Sequence, residues 1–291
     1  MKDKNGQNVT AEKGILYFCA TPIGNLGDIT LRALECLKEA DLIAAENIRH
    51  SRKLLAFYGI KRPLVSYRES NREKMGKLIV ERLKQGAKVV LISDAGMPII
   101  SDPGSNLVQQ LLEEKMPFTV LPGASAALTA LVASGYAAGK FVFWGFLSRK
   151  KGELKKELQQ IAEEEKAVVL YEAPHRLTAT LAEMAKILKE RPLAVCRELT
   201  KKFEEVRRGS AGELLKFFLQ QPPRGEITLV ISPLNALLEK NPEKLKDKCR
   251  EILQEALEKG NTPTEAVKMA AKSLGLKRSE VYAVLKELKL I

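Results

Sequence analysis

Residues 91–104 read Leu-Ile-Ser-Asp-Ala-Gly-Met-Pro-Ile-Ile-Ser-Asp-Pro-Gly. Two Asp, two Gly and two Pro fall within the eleven residues from 94 to 104. Such a composition suits a ligand-binding loop. Glycine lets the backbone approach a small molecule closely, and proline fixes the loop shape before binding, which lowers the ordering cost. The same grammar recurs twice. Thr21-Pro22-Ile23-Gly24-Asn25-Leu26-Gly27-Asp28-Ile29-Thr30 is one case, and Pro122-Gly123-Ala124-Ser125-Ala126 is another. Gly-Ala-Ser-Ala at a helix start leaves little side-chain bulk, so a flat ligand can lie against the backbone. The first loop is no P-loop, since no Gly-Lys-Ser/Thr follows, and it lacks Gly-x-Gly-x-x-Gly. An ordinary strand–loop–helix connection is the competing reading of each loop.

The elements that hold these loops follow from hydrophobic period. Apolar runs at 15–20, 41–45, 88–93 and 118–121 read as strands, and helical patterns cover 31–40, 50–58, 71–85 and 106–114. Alternation of this kind predicts an α/β domain over 14–122 with a largely parallel sheet, whose ligands bind beyond the strands' carboxyl ends. A small-residue helix ends at Ser134, and a second α/β domain spans 123–232. Its strands lie near 141–146, 167–171, 193–197, 204–208 and 226–231, and the adjacent pair 193–197 and 204–208 predicts a mixed sheet. Residues 1–13 read as a loose tail and 233–243 as a linker. Residues 244–291 read as three helices, Leu245–Glu258, Thr264–Leu274 and Ser279–Leu288, joined in helix–turn–helix style with Gly275 at the bend and Ser279 as N-cap. This module carries an excess of four basic residues. It suits nucleic-acid binding or, equally, packing or dimerisation.

Charge narrows the partners. The chain has 291 residues, a net charge of +12 and pI near 9.4. A basic chain points to a polyanionic partner, and clustering of the charge strengthens the point. Arg49, Arg52 and Lys53 sit beside His50; Arg149, Lys150, Lys151, Lys155 and Lys156 form a second group; Arg197, Lys201, Lys202, Arg207 and Arg208 form a third. No stretch reaches the roughly 18 apolar residues of a membrane span. The polar start does not resemble a secretory signal, so a cytoplasmic location is expected. Cys19, Cys36, Cys196 and Cys249 have no metal-like spacing and read as free thiols, and two histidines argue against a histidine-built metal site.

Eight segments then stand in order along the chain: 21–30, Ala-Glu-Asn-Ile-Arg-His (45–50), 93–104, Leu-Pro-Gly-Ala-Ser-Ala (121–126), Trp-Gly-Phe-Leu (144–147), Tyr-Glu-Ala-Pro-His-Arg (171–176), Arg-Glu-Leu-Thr-Lys (197–201) and Arg-Gly-Glu-Ile-Thr-Leu-Val-Ile (224–231). Together they resemble the tetrapyrrole methylase superfamily, and within it the branch that methylates a ribose 2′-hydroxyl of small-subunit ribosomal RNA. The resembling region, 14–232, is about three quarters of the chain. Four positions depart from the pattern. Asn47-Ile48 replaces Asp-Thr, Met97 replaces Thr, and Ala124 replaces Pro. No role can therefore rest on a carboxylate at 47 or a hydroxyl at 48 or 97.

The resemblance implies an S-adenosylmethionine cleft between two α/β domains. It implies cofactor contacts from Ile23, Gly24, Asp94, Ala95, Gly96, Ile99, Ser125, Ala126, Glu172, Leu199 and Thr228. On the substrate side it implies Glu46, Arg49, His50, Glu198 and Lys201 near the chemistry. RNA contacts are expected from Arg49, Arg52, Lys53, His175, Arg176, Arg197 and Lys201. Glu46 or Glu198 is the better candidate to accept the hydroxyl proton, with His50 or His175 behind them. Competing structural readings are a Glu46–Arg49 pair at a helix start and a capping role for His175. The implied partners are 16S ribosomal RNA in the small subunit, acting at the decoding centre on a cytidine, and a second copy of the chain in a homodimer. A tetrapyrrole methyltransferase and a non-catalytic RNA-binding assembly factor remain as alternatives.

Overall fold

The computed structural model describes residues 14–100, 105–137, 139–234, 242–274 and 276–287. The tail 1–13, the loop end 101–104 and the bend residue Gly275 lie outside them, as does most of the stretch read as a linker.

Strands that are apolar at successive positions must be covered on both faces, and this governs the first sheet. In chain order its elements are β1 (Leu16–Cys19), α1 (Leu31–Glu39), β2 (Leu42–Ala45), α2 (Ile48–Phe57), β3 (Leu64–Ser66), α3 (Arg72–Lys84), β4 (Val89–Ile92), α4 (Ser105–Glu113) and β5 (Phe118–Leu121). The five strands are parallel in the order β3-β2-β4-β1-β5. Leu37 of α1 and Leu55 of α2 pack with Ile43, Val90 and Ile92 on one face. Ile79 and Leu83 of α3 and Leu107 and Leu111 of α4 pack with Leu16, Phe18 and Leu91 on the other. Strand β3 was not predicted. It has three half-buried residues, Leu-Val-Ser, behind Pro63, too short a run to show a period of two. Helix α2 starts two residues earlier than expected because Asn47 caps it. Its Oδ1 accepts from the backbone N–H of Arg49 and His50 at 3.1 and 3.4 Å. Asn and Asp cap about equally well, so the departure at 47 keeps the local fold.

The second sheet comprises β6 (Phe141–Phe146), β7 (Ala167–Glu172), β8 (Leu193–Arg197), β9 (Glu205–Gly209) and β10 (Ile227–Ile231), in the order β6-β7-β10-β8-β9. It is mixed: β6 and β7 are parallel, and the other pairs are antiparallel. Helices α6 (Lys151–Glu163), α7 (Leu177–Leu188) and α8 (Ala211–Gln220) cover one face. Helix α5 (Ala126–Ser134) covers the other through Ala127, Ala130 and Leu131. Ile23, from the loop after β1, joins that second core, so a residue of the first half is wedged under the second sheet.

One buried cation organises the far end of this sheet. Arg191 is 1% exposed and donates to the carbonyls of Ser232, Ile161 and Glu164 at 2.7–2.8 Å. Burial pulls its pKa down to about 10, with Glu164 partly offsetting the effect. The C-terminal helices, Pro242–Glu258, Pro263–Leu274 and Arg278–Glu287, bury Cys249, Leu253, Val267 and Leu285 against one another. The first begins inside the segment read as a linker. The third begins at Arg278, so Ser279 lies within its first turn rather than at the cap, and Glu280 reaches back to the Lys277 N–H at 2.7 Å.

Candidate active site

The loops after β1 and β4 are fastened to each other by their backbones. Thr21 N–H donates to Gly96 O at 2.9 Å, and Gly96 N–H returns a bond to Thr21 O at 3.0 Å. The side chains of Thr21 and Ser93 add bonds to Ser93 O and Gly96 O. Gly96 has φ +78°, and a Cβ there would meet Ile23 Cγ2 at 3.3 Å. The left-handed backbone favours glycine at this position, and the Ile23 methyl leaves little room beside it. The staple fixes two of the three glycine-rich loops before any ligand arrives. Ser125, at the third, caps α5 by accepting from Leu128 N–H.

A cavity of about 440 Å³ opens where these loops face the second sheet. Eight of the expected cofactor residues line it: Ile23, Asp94, Ala95, Gly96, Ser125, Ala126, Glu172 and Thr228. Glu46, at the end of β2, lines it as well. Gly24, Ile99 and Leu199 do not. Gly24 lies against the 199–201 turn, where a Cβ would strike the Lys201 side chain and Leu199 O. Leu199 is buried in the core beside Ile23. Ile99 packs toward the first sheet with φ +77°, a backbone state rare for a β-branched residue. Gly24 and Leu199 join the two walls and Ile99 packs into the first, and none of the three lines the space between them.

The cavity is acidic on the first-sheet side. Asp94 Oδ1 is buried and has no hydrogen-bond partner among the described residues. Glu46 accepts a bond from the Asp94 backbone N–H, but burial first, then the Asp94 charge, pushes its carboxyl above the usual range. On the opposite wall, Glu172 is 3% exposed and fully engaged. It accepts from Ala173 N–H at 2.8 Å and from Thr180 Oγ1 at 2.5 Å. Its role is to anchor the start of α7. Phe146 and Tyr171, tilted with centroids 5.5 Å apart, supply an aromatic wall. Neither was singled out beforehand, although both lie in the motifs at 144–147 and 171–176. Met97, named in the sequence only as a departure from the pattern, lines the cavity too, as do Ile100, Ala173, Pro174 and the run Gly225–Ile227, and all lie in the eight motif segments.

A family profile, Tetrapyrrole (Corrin/Porphyrin) Methylases, matches residues 15–215. The chain belongs to the tetrapyrrole methylase family. Within it, the chain is 45% identical over 277 residues to Ribosomal RNA small subunit methyltransferase I of Bacillus subtilis (strain 168), covering 94% of this chain and 95% of that protein. The protein of the same name from Thermotoga maritima is 44% identical over 219 residues, 75% of this chain and 98% of its own length. Among solved structures, uroporphyrin-III-C-methyltransferase from Thermus thermophilus shares the fold with a TM-score of 0.57 at 21% identity, covering 78% of this chain and 98% of that one. The chain is a methyltransferase of the branch that those curated relatives define.

In this tetrapyrrole methylase the substrate-side residues fall into two groups. Arg49, His50, Arg52 and Lys53 are exposed on α2, with no side-chain partner among the described residues. Glu46 and Arg49 do not pair. Glu46 turns to Asp94, and Arg68 Nε bonds the Glu46 carbonyl at 2.8 Å. The third basic cluster is largely neutralised. Arg197 pairs with Glu205 at 3.0 Å. Lys201 bridges Glu198 and Glu226 at 2.8 and 3.0 Å. Arg207 pairs with Glu205 and lies over the Phe217 ring. Arg208 donates to the carbonyls of Ser134 and Ala133. Arg176 is spent on Leu147 O and Ser148 O, with Glu172 at 3.6 Å. His175 is exposed and does not cap α7. Glu198 is not among the cavity's lining residues. Burial raises its pKa, but the Lys201 ammonium and the Glu226 N–H together hold it below the ordinary value.

Proposed function

We propose that this chain methylates small-subunit ribosomal RNA, taking the methyl group from S-adenosylmethionine and placing it on the ribose 2′-oxygen of a cytidine at the decoding centre. The observation that carries the reading is the near-full-length likeness to the Bacillus subtilis protein, whose name states methyl transfer and small-subunit ribosomal RNA; the donor, the ribose oxygen and the cytidine rest on the motif resemblance. The cavity suits the methyl donor. A cation that carries ammonium and hydroxyl donors fits a buried carboxylate oxygen without a partner among the described residues, and Asp94 offers one beside the acidic Glu46. The backbone-lined walls at Ala95, Gly96 and Ala126 fit a flat ring. When bound, S-adenosylmethionine supplies an activated methyl group on a cationic sulfur.

This chain's residues then have three tasks. The stapled loops hold the donor in one orientation, and orientation can supply most of the acceleration for such a transfer. The aromatic wall of Phe146 and Tyr171 excludes water. Glu46 holds the proton that leaves the hydroxyl, since it lines the cavity and its raised pKa favours the protonated form afterwards. Glu198 is unsuited, because its carboxylate is already tied to Lys201 and Glu226. The reading includes a cytoplasmic homodimer. Val120, Leu128 and Val132, exposed along β5 and α5, offer apolar area for a second copy.

Labelled S-adenosylmethionine incubated with small subunits that lack their ribose methylation tests the reading. Label recovered in 2′-O-methylcytidine is expected. Label in a base, or none despite cofactor binding by calorimetry, would overturn it.

A further inference from the structure

Residues 47–68 contain six Lys or Arg and no Asp or Glu. Helix α2 sorts them. Ser51, Leu54 and Leu55 face the core. Arg49, Arg52, Lys53 and Phe57 follow at offsets of three, four and eight, so they share the exposed face. Phe57 is 65% exposed and rests edge-on against Tyr58, with centroids 5.0 Å apart. At the C-terminal end of this face lies a second cavity of about 500 Å³. Leu55, Ile60 and Leu64 supply its apolar lining, and Arg52, Lys61 and Arg62 its charge. None of these three cations has an ion-pair partner among the described residues.

Three like charges around one cavity repel one another and contribute nothing to folding. They are suited to polyanion binding, and apolar lining next to an exposed aromatic ring is suited to unstacked bases. Position adds direction. Glu46, in the main cavity, immediately precedes the Asn47 cap of α2. The helix then runs about 15 Å to the second cavity, at 1.5 Å per residue. A duplex would hide its base faces, so a single strand fits better.

We propose that the exposed face of α2 and the cavity at its end form a second RNA site, which holds single-stranded RNA flanking the nucleotide in the main cavity. Arg49, Arg52, Lys61 and Arg62 take phosphates, and Phe57 takes a base. The site rests on the reading of this chain as an RNA methyltransferase.

The test uses the full chain and a labelled single-stranded RNA of about twelve nucleotides, a length within the range that such sites cover. Binding is followed by fluorescence anisotropy across a salt series. The triple variant Arg52→Ala, Lys61→Ala, Arg62→Ala should weaken binding at least tenfold. It should also flatten the slope of log affinity against log salt by about 2, since each single-strand phosphate contact contributes about 0.7. A control triple with the same charge change, Lys38→Ala, Lys77→Ala, Lys216→Ala, should stay within about threefold of wild type. Phe57→Ala should cost about tenfold in affinity and leave the salt slope unchanged. S-adenosylmethionine binding by calorimetry should be the same in all variants, which separates this effect from misfolding. Equal losses in the two triples, or a site triple that binds like wild type, would overturn the second site and leave the methyltransferase reading standing. A wild-type chain that binds no such single strand would overturn the second site alone, because the methylation reading concerns the small subunit and stands or falls with the labelling experiment.

Discussion

At the residue scale, two carboxylates a short distance apart have been given different environments. Asp94 keeps one oxygen buried and unpartnered among the described residues, and Glu46 is half-buried beside it with a raised pKa. Asp94→Asn should therefore weaken S-adenosylmethionine about 10- to 100-fold by calorimetry with little change in thermal midpoint, the scale of a hydrogen bond to a charged group. Glu46→Gln should lower kcat by about 10²-fold or more, as removal of a proton acceptor does. Its stability has the opposite sign. A carboxyl whose folded pKa lies above its unfolded value binds more protons when folded, so wild type loses stability as pH rises through the window between the two. Thermal midpoints should thus match near the unfolded value of about 4.3, and the variant should be the more stable at neutral pH. A variant that is less stable at neutral pH would show that Glu46 is not held in a costly, half-buried position.

At the element scale, the site depends on loops tied across sequence. The Thr21–Gly96 staple, the Gly24 contact with the 199–201 turn, and Ile23 under the second sheet hold the walls of the cavity against each other. The left-handed backbones of Glu198 and Thr200, at φ +52° and +66°, belong to the same junction. Strain of this kind persists only where surrounding packing imposes it. The opposite end of the second sheet depends on Arg191. Its removal leaves the carbonyls of Ser232 and Glu164 without the guanidinium and takes one of two donors from Ile161 O, so Arg191→Ala should cost about 3–5 kcal/mol. The measurement is a urea melt at neutral pH, and a cost under about 1 kcal/mol would mean that water replaces the guanidinium.

At the scale of the whole molecule, two sheets share one cavity, and the three C-terminal helices carry a core of their own. We expect that removing residues 235–291 leaves a folded core whose affinity for S-adenosylmethionine is within about threefold of the full chain, because none of the described residues that line that cavity lies beyond Thr228. Small-subunit binding should fall if these helices dock on RNA. An aggregated truncation would show that they cover a necessary face of the core instead.

The sequence by itself determined the parallel and mixed sheets, the three glycine-rich loops and most of the cavity's first-sheet wall. Those features are local: a period of two or 3.6, a Gly or Pro at a turn, a motif of a few residues. Tertiary structure alone decided which charges are free. Arg208 is used by carbonyls 74 and 75 residues away, Arg191 by carbonyls 27 to 41 away, and Lys201 by Glu226, 25 away. A basic cluster in sequence therefore says nothing about its net field until its partners have folded onto it. The same holds for β3, whose three residues become a strand only because β2 is there to pair with them. Glu46 and Arg49 look like a helix-start pair, yet Glu46 turns inward because β4 brings Asp94 beside it. Local chemistry is written in the chain; pairing, burial and the pKa shifts that follow depend on distances that only folding sets.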